Sequence, residues 1–351
     1  MPSLAAVSKI DFPYKTSQQT VKDFAEGVFA SSFPDIRRLL PVFNNTEIVT
    51  RNLCKPLDYY LQIHTFEEQN HEFIQLALEY SIKAVEECVS AAGIDKNDIT
   101  DLLFVSTTGL ATPSLDALII NKMRLNPHVN RIPIFGLGCG GGVSGFGKAC
   151  TLAKANPKAV VVLVAVELCS LTFLRNDFSK SNFVGSSLFA DGVAACLIMG
   201  DERKTARENR IDFVAAESRL YYDSLDIMGW DFTDHGFKVL FSSSIPALIA
   251  KNVRHDVTSF LAKHNLEIPA VKNFIFHPGG KKVLGAYEEA LAAEGDFLQT
   301  SREVMRDYGN MSSATVLYVL ERFLDKHEKG YGLMMSMGPG FSSEMVLLEM
   351  N

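Results

Sequence analysis

Residues 134–147 read IFGLGCGGGVSGFG, with Cys139 at the centre of a glycine-rich turn. The apolar residues around the start of this stretch, 132–137, favour a β-strand, and residues 143–155 have the pattern of a helix. A cysteine between a strand and a helix N-terminus is placed as a nucleophile, because the helix dipole favours its thiolate. The flanking glycines would let a substrate carbonyl approach the backbone closely.

The same turn is also compatible with phosphate binding. Gly136, Gly138 and Gly141 satisfy the G-x-G-x-x-G spacing of dinucleotide-binding turns. That function requires an acidic residue at the end of the next strand, about 20 residues further on. The next strand is predicted over 159–166, and Glu167 at its end comes 167 − 136 = 31 residues after the first glycine. Nucleotide binding at this turn is therefore disfavoured.

Composition places the chain among ordinary globular proteins of one large domain or two. It has 351 residues, of which 47% are hydrophobic and 21% are charged. A net charge of −7 without a basic block disfavours nucleic acid as a partner. The longest apolar run, 159–166, is too short to span a membrane, and no secretory signal is present at the N-terminus.

The cysteines indicate a reducing compartment. The six cysteines have no close pairs, so they resemble neither a disulfide framework nor a zinc site. We therefore expect a cytoplasmic protein without a bound metal. A reduced environment also suits a thiol nucleophile.

Hydrophobic periodicity predicts an α/β protein built from two similar halves. Predicted helices cover 18–29 (capped by Ser17), 33–42, 70–92, 114–125, 143–155, 281–294 and 310–325. Predicted strands cover 4–10, 101–107, 132–137, 159–166, 193–199, 213–218, 273–276, 331–337 and 343–350, and residues 189–192 are predicted to form a turn. The similar order of elements implies an internal pseudo-repeat, with its seam in the charged stretch 200–211. We therefore divide the chain into halves of residues 1–205 and 206–351.

Two residues of the second half are candidates to act with Cys139. His277 follows an apolar strand and precedes a glycine-containing turn, where it can project into a cleft. Asn310 precedes a predicted helix, where it could equally be an N-cap. An imidazolium would keep Cys139 ionised, and the ring and amide N–H groups would stabilise an oxyanion. Cys139, His277 and Asn310 could therefore serve thioester acyl transfer.

The order Cys, His, Asn also occurs in papain-like proteases. The gap of 277 − 139 = 138 residues between Cys139 and His277 lies in the range expected of those enzymes. However, Cys139 lies in the middle of the chain, and the local sequence around a papain-type cysteine is missing. A protease is therefore disfavoured.

Five motifs together resemble those of the type III polyketide synthases, the chalcone-synthase-like enzymes. They are GLGCGGG at 136–142, SLFADG at 187–192, HPGG at 277–280, YGNMSSAT at 308–315 and GPGF at 338–341. The resemblance covers nearly the whole chain, and the pair of motifs around His277 and Asn310 is specific. It implies a thiolase-like fold of two halves in five layers (αβαβα), and a homodimer.

The resemblance also implies a chemistry. Cys139 would take an acyl starter from acyl-CoA as a thioester. His277 and Asn310 would bind the thioester carbonyl of malonyl-CoA and stabilise the enolate left by decarboxylation. Repeated condensation would give a polyketide that cyclises in the same cavity. No metal or redox cofactor would be needed, since loss of CO2 drives the carbon–carbon bond.

The resemblance further suggests residues that line the cavity. Phe189 matches the phenylalanine between the CoA tunnel and the cavity, Thr172 matches a lining threonine, and Thr107 and Thr108 fall in a lining loop. Two positions depart from the plant enzymes and favour a bacterial-type member. Val239 replaces a second phenylalanine, and Thr112 replaces a methionine that the partner subunit of a plant enzyme inserts.

The smaller residues lead us to expect a fatty acyl starter and products of the alkylpyrone or alkylresorcinol type. Arg38 is the best match to the basic residues that contact CoA, beside Arg37. Two alternatives stay open. One is a ketoacyl-ACP synthase III-like enzyme that performs a single condensation, and the other is a non-catalytic thiolase-fold binding protein.

Overall fold

The computed structural model describes residues 1–30, 32–33, 35–203 and 209–351. This part of the chain contains thirteen strands and ten α-helices, with short 3-10 helices between them. The strands are β1 Ser3–Lys9, β2 Tyr14–Ser17, β3 Thr50–Leu53, β4 Asp101–Ser106, β5 Asn130–Phe135, β6 Val160–Leu168, β7 Asp191–Met199, β8 Ile211–Leu220, β9 Met228–Thr233, β10 Gly236–Phe241, β11 Val271–Phe276, β12 Gly330–Gly338 and β13 Ser342–Met350. The helices are α1 Gln18–Phe29, α2 Pro41–Asn45, α3 Phe66–Ala92, α4 Leu115–Met123, α5 Gly141–Ala155, α6 Lys180–Leu188, α7 Ile245–Ala262, α8 Lys281–Leu291, α9 Gln299–Tyr308 and α10 Thr315–Arg322.

Nine of the described strands form one mixed sheet, in the order β11-β12-β13-β8-β1-β7-β6-β4-β5. The strands of the first half of the chain lie together on one side, and those of the second half lie on the other. The two groups meet at β1 and β8, where Ser3 lies opposite Asp212. Each group contains both parallel and antiparallel pairs, for example β4 with β6 and β6 with β7.

The helices form three layers around these two groups of strands. Helices α5 and α10 pack in a central core against strands from both halves. Helices α3 and α4 cover the outer face of the first group, and α7 and α8 cover that of the second. The arrangement is the five-layered αβαβα fold that the sequence resemblance implies.

Strand β6 shows why the apolar pattern alone identifies an interior strand of the sheet. All nine of its residues, Val160–Leu168, are buried. Helix α3 packs on one face and α5 on the other, so that neither face needs polar side chains. The strand predicted over 159–166 is confirmed as β6.

Helix ends follow local capping chemistry. The side chain of Ser17 accepts a hydrogen bond from the backbone N–H of Thr20, so the predicted cap of α1 is confirmed. Helix α3 begins at Phe66, four residues before the predicted start, because Thr65 and Glu68 form a capping box. It ends before Gly93, which has φ +65°, as a left-handed helix terminator does.

Several predicted elements are wrong in detail. Residues 33–42 do not form one helix: a 3-10 turn at Ile36–Arg38 precedes α2, and residue 34 lies outside the described part of the chain. Residues 310–325 likewise divide into a 3-10 turn and α10. Residues 189–192 are not a turn, since Phe189 pairs with Asn310 and β7 begins at Asp191. Helices α7 and α9 and the hairpin of β9 and β10 were not predicted.

The glycines of α5 let this helix pack closely, and this is their observed role. A Cβ atom at Gly142 would lie 2.2 Å from the carbonyl oxygen of Ser313. A Cβ atom at Gly145 would lie 2.9 Å from the side chain of Leu163 in β6. The glycine-rich sequence therefore brings the start of α5 against the loop that carries Asn310.

We expect Gly142→Ala to destabilise the fold by about 1–3 kcal/mol, because the new methyl group must displace backbone. Gly285→Ala in α8 is the matched control, since nothing lies within 4 Å of a Cβ atom there. It should instead stabilise the protein by about 1 kcal/mol through helix propensity. Urea denaturation of the two variants and the wild type measures both changes. Equal stability of the Gly142 variant and the wild type would contradict the close packing.

Candidate active site

Cys139 lies at the turn between β5 and α5, as the sequence predicts. The turn needs glycine at Gly138, whose φ is +44°. Residues Gly138–Gly140 form a 3-10 helix that leads directly into α5. The Cys139 side chain is buried, and its Sγ lies 3.7 Å from Oγ of Ser312. The thiol is therefore held in the interior beside the loop of the second half.

His277 follows β11 and is buried, 3% exposed. Its backbone N–H donates to the carbonyl of Met335 at 2.9 Å, which fixes the end of the strand. Neither ring nitrogen has a hydrogen-bond partner among the described residues. Burial lowers the pKa of His277 to about 3, so the ring is neutral at pH 7 and one nitrogen carries a free N–H.

The side chain of Asn310 forms one hydrogen bond near His277 and another near Cys139. Its Nδ2 donates to the carbonyl of Gly279, two residues after His277, at 3.2 Å. Its Oδ1 accepts from the backbone N–H of Ser312 at 2.9 Å, and the side chain of Ser312 contacts that of Cys139. The second hydrogen on Nδ2 remains available to a ligand. The structure thus brings the neighbourhoods of Cys139, His277 and Asn310 together in the interior.

A preformed thiolate–imidazolium pair is not what the site favours, contrary to the sequence prediction. Burial raises the pKa of the Cys139 thiol to about 12, and the nearby Glu167 carboxylate adds to the rise. Burial lowers the pKa of His277, so it favours the neutral form of this ring as well. Desolvation is the largest cause of both pKa shifts, because burial penalises the charged form of each group. At neutral pH these shifts favour a thiol at Cys139 and a neutral ring at His277.

Glu167 is a site residue that the sequence analysis considered only as a nucleotide ligand. It is fully buried at the end of β6, and burial raises its pKa to about 7. Its carboxylate accepts hydrogen bonds from the backbone N–H of Thr107 at 3.0 Å, from Oγ1 of Thr108 at 3.0 Å and from Oγ of Ser313 at 2.6 Å. Glu167 thereby ties the loop after β4 to the loop of Asn310.

Three of the predicted substrate-binding residues, Phe189, Thr172 and Val239, line one cavity of about 70 Å³. Other walls of this cavity come mainly from apolar side chains, including Cys169, Trp230 and Phe237. Phe189 lies at its boundary with the buried site, because its backbone pairs with Asn310. The prediction that these three residues share a cavity is therefore supported by their positions.

The other predicted contacts lie elsewhere. Thr107 and Thr108 are buried beside Cys139, where Oγ1 of Thr107 accepts from the N–H of Gly138 at 3.0 Å, and they do not line this cavity. Thr112 is exposed and does not line the cavity either. Arg38 is on the surface, 85% exposed, and pairs with Asp35 at 2.7 Å. Nothing in these positions distinguishes Arg38 as a CoA contact.

Two further features of the described residues bear on the site. Within residues 1–30, 32–33, 35–203 and 209–351, no three His, Cys, Asp or Glu side chains are grouped so that they could hold a metal ion. In the same ranges, no helix has both the length and the apolar character needed to cross a membrane.

The chain matches two family profiles that together cover most of its length. Residues 52–202 match the N-terminal domain of chalcone and stilbene synthases, and residues 213–350 match the C-terminal domain. The first match contains Cys139, and the second contains His277 and Asn310.

Individual proteins are similar over nearly the full chain. A Bacillus subtilis (strain 168) protein whose name refers to chalcone synthase is 43% identical, over 95% of this chain and 94% of its own length. The 1,3,6,8-tetrahydroxynaphthalene synthase of Streptomyces peucetius subsp. caesius is 34% identical, over 99% and 92%. The solved structure of the tetrahydroxynaphthalene synthase of Streptomyces coelicolor A3(2), titled a bacterial type III polyketide synthase, superposes with a TM-score of 0.93 at 26% identity, over 99% of each chain.

Proposed function

The chain belongs to the chalcone and stilbene synthases, a family of type III polyketide synthases, and we propose that it extends an acyl starter on Cys139 by repeated condensation with malonyl-CoA. The observation that carries this proposal is the position of Asn310. Its amide contacts both the backbone beside His277 and that of Ser312, which adjoins Cys139. One buried site can therefore hold an acyl group on sulfur and an enolate oxygen on two N–H donors.

In the loading step, Sγ of Cys139 attacks the carbonyl carbon of acyl-CoA. Because the thiol is neutral in the buried site, its proton must leave as the carbon–sulfur bond forms. We propose the neutral ring of His277 as the base, because neither of its nitrogens has a hydrogen-bond partner among the described residues, and it can then pass the proton to the departing CoA sulfur. The product is a thioester on Cys139 and free CoA.

In the extension step, malonyl-CoA loses CO2, and the electron pair of the broken bond moves to the thioester as an enolate. The N–H groups of His277 and Asn310 stabilise the enolate oxygen. The enolate carbon attacks the acyl carbonyl on Cys139, the Cys139 sulfur departs, and the chain is two carbons longer. We propose that no metal or redox cofactor takes part, since decarboxylation supplies the driving force.

We expect Cys139→Ala to lose acyl loading but to keep decarboxylation of malonyl-CoA to acetyl-CoA. The decarboxylation rate should be flat between pH 5 and pH 8, because a ring with a pKa of about 3 stays neutral throughout this range. Adding His277→Ala should lower the rate about 100- to 1,000-fold, as loss of one oxyanion donor does. Chromatography of the CoA thioesters measures the rate.

Two results would contradict these assignments. Full acylation of the Cys139→Ala variant, seen by intact-protein mass, would remove Cys139 as the nucleophile. A decarboxylation rate that falls about tenfold per pH unit above pH 6.5 would indicate an imidazolium donor instead of a neutral ring.

For the starter, we propose a fatty acyl group and a pyrone or resorcinol product with an alkyl chain. The apolar lining of the cavity and the small Val239 support this choice. The cavity volume of about 70 Å³ is smaller than a long acyl chain, so this proposal includes a movement of the cavity walls when the chain enters. The name of the Streptomyces peucetius relative describes a product without an alkyl chain. The starter therefore has to be measured directly.

We expect Val239→Phe to shorten the accepted starters, because the ring would occupy the cavity shared with Phe189 and Thr172. Across acyl-CoAs from acetyl to palmitoyl, kcat/KM should fall about tenfold or more for the longest starter that the wild type accepts. Leu240→Phe is the control, since Leu240 is on the same strand but outside the cavity lining. Wild-type activity confined to short or aromatic starters, or to malonyl-CoA alone, would reject the fatty acyl proposal.

We also propose that the protein is a cytoplasmic homodimer whose chain divides into halves near residues 205 and 206. The boundary falls in 204–208, outside the described residues. Strand β5 supports the dimer, since it is the last strand of the sheet and its outer edge is unpaired in one chain. Phe135 on this strand is 48% exposed, and its ring lies 6.4 Å from that of the exposed Phe232. An exposed strand edge with an apolar side chain can pair with the same edge of a second chain.

We expect light scattering to give the wild type twice the mass of one chain. Phe135→Arg should shift the protein toward the monomer, because a charge at the edge of β5 would be buried without a partner. Tyr222→Arg changes an aromatic residue that is 90% exposed in the second half and should leave the mass unchanged. A dimer that withstands Phe135→Arg would place the interface elsewhere.

A further inference from the structure

Arg51, on β3, is the largest of the fully buried side chains in the described residues. Burial lowers its pKa to about 9, which leaves the guanidinium charged at neutral pH. A buried charge is stable only when it is paired and hydrogen-bonded. The buried carboxylate of Asp191 supplies part of this compensation. The rest comes from backbone oxygens at the end of α6.

The guanidinium donates to three carbonyl groups of one short segment. Nη1 donates to the carbonyl of Ser186 at 2.9 Å and to that of Phe189 at 2.8 Å. Nη2 donates to the carbonyl of Ser187 at 2.7 Å and also to the side-chain oxygen of Gln18. The planar fork of an arginine suits several acceptors in one plane, which a lysine cannot match.

The carbonyl groups at the end of α6 that lack a partner within the helix are bonded by Arg51 and by Asn310. The last turn of a helix leaves carbonyls without helical partners, and cations stabilise them. Arg51 takes those of Ser186 and Ser187, and the backbone N–H of Asn310 takes that of Leu188 at 3.0 Å. The N–H of Ala190 in turn donates to the carbonyl of Asn310 at 2.8 Å. The segment 186–190 is thus held by Arg51 on one side and by Asn310 on the other.

We propose that Arg51 is a positioning residue that sets the location of both Phe189 and Asn310. Phe189 forms the cavity wall, and Asn310 is the amide donor of the proposed reaction, so this inference rests on the proposed function. A helix cap with a purely structural role would affect stability alone. Arg51 instead holds the segment 186–190, which links the cavity wall at Phe189 to the amide donor Asn310. Its loss should therefore lower the reaction rate of enzyme that is still folded.

The first test compares Arg51→Gln, Arg51→Lys and a matched control. Asn273→Ala is the control, because Asn273 is also buried and also bonds backbone, at Glu328, and it lies near the start of β11, whereas His277 follows the end of that strand. We expect Arg51→Gln to lower kcat of malonyl-CoA decarboxylation about 10- to 100-fold per folded molecule, with KM changed less than about threefold, because a misplaced donor weakens transition-state binding. The kcat of Arg51→Lys should lie between those of Arg51→Gln and the wild type, and Asn273→Ala should keep the wild-type kcat.

A second readout does not depend on activity. Trp230 is the only tryptophan and lines the same cavity as Phe189. We expect its quenching constant with acrylamide to rise about twofold or more in both Arg51 variants and to stay unchanged in Asn273→Ala. If Arg51→Gln does not fold, Arg51→Lys carries both measurements.

The outcomes separate the two proposals. Unchanged kcat and unchanged quenching in a folded Arg51 variant would overturn the positioning role. A change in thermal stability alone, equal to that of Asn273→Ala, would overturn it as well. A wild type that does not decarboxylate malonyl-CoA would reject the proposed function, while the Trp230 measurement would still decide whether Arg51, which lines the same cavity, holds its walls in place.

Discussion

The pairing of Asn310 with residues 188–190 is the interaction on which the site depends. It is formed by two backbone hydrogen bonds between a segment of the first half of the chain and a loop of the second. The first segment carries a wall of the apolar cavity, Phe189, and the second carries the amide that faces the buried site. Because the bonds lie in the interior, neither partner can exchange them for water, and breaking them would leave buried polar groups unpaired. The two halves are therefore aligned with each other at the candidate active site.

Burial governs the charges of the site. Desolvation moves Cys139 and His277 toward their neutral forms, and it raises the pKa of Glu167 to about 7. Neutral N–H donors suit a reaction in which negative charge develops on a substrate oxygen, since they stabilise it without first having to be ionised. Glu167 keeps its place through bonds to Thr107, Thr108 and Ser313, and so contributes to the alignment of the same two halves.

The elements that the sequence predicted well are those with strong local signals. Strand β6 is apolar on both faces, α1 has a serine cap, and α3 ends at a glycine. Two helices were missed for different reasons. Helix α9 is largely polar, which weakens its apolar pattern. Helix α7 has apolar residues at helical spacing, including Ile245, Ile249 and Val253, and this pattern was overlooked. The region 310–325 was predicted as one helix, but its start is drawn into pairing with Phe189, which local propensity cannot reveal.

The sequence by itself determined the α/β class, the glycine-rich turn at Cys139 and the candidacy of Cys139, His277 and Asn310, because periodicity and short motifs are local properties. Only the tertiary structure decided how these residues are held. It assigned the glycines of α5 to close packing, since a Cβ atom at Gly142 would meet the backbone of Ser313. It also set the burial that favours the neutral forms of Cys139 and His277, and the hydrogen bonds of Arg51 to the end of α6. Desolvation and long-range hydrogen bonds depend on residues far apart in the chain, and no local pattern encodes them.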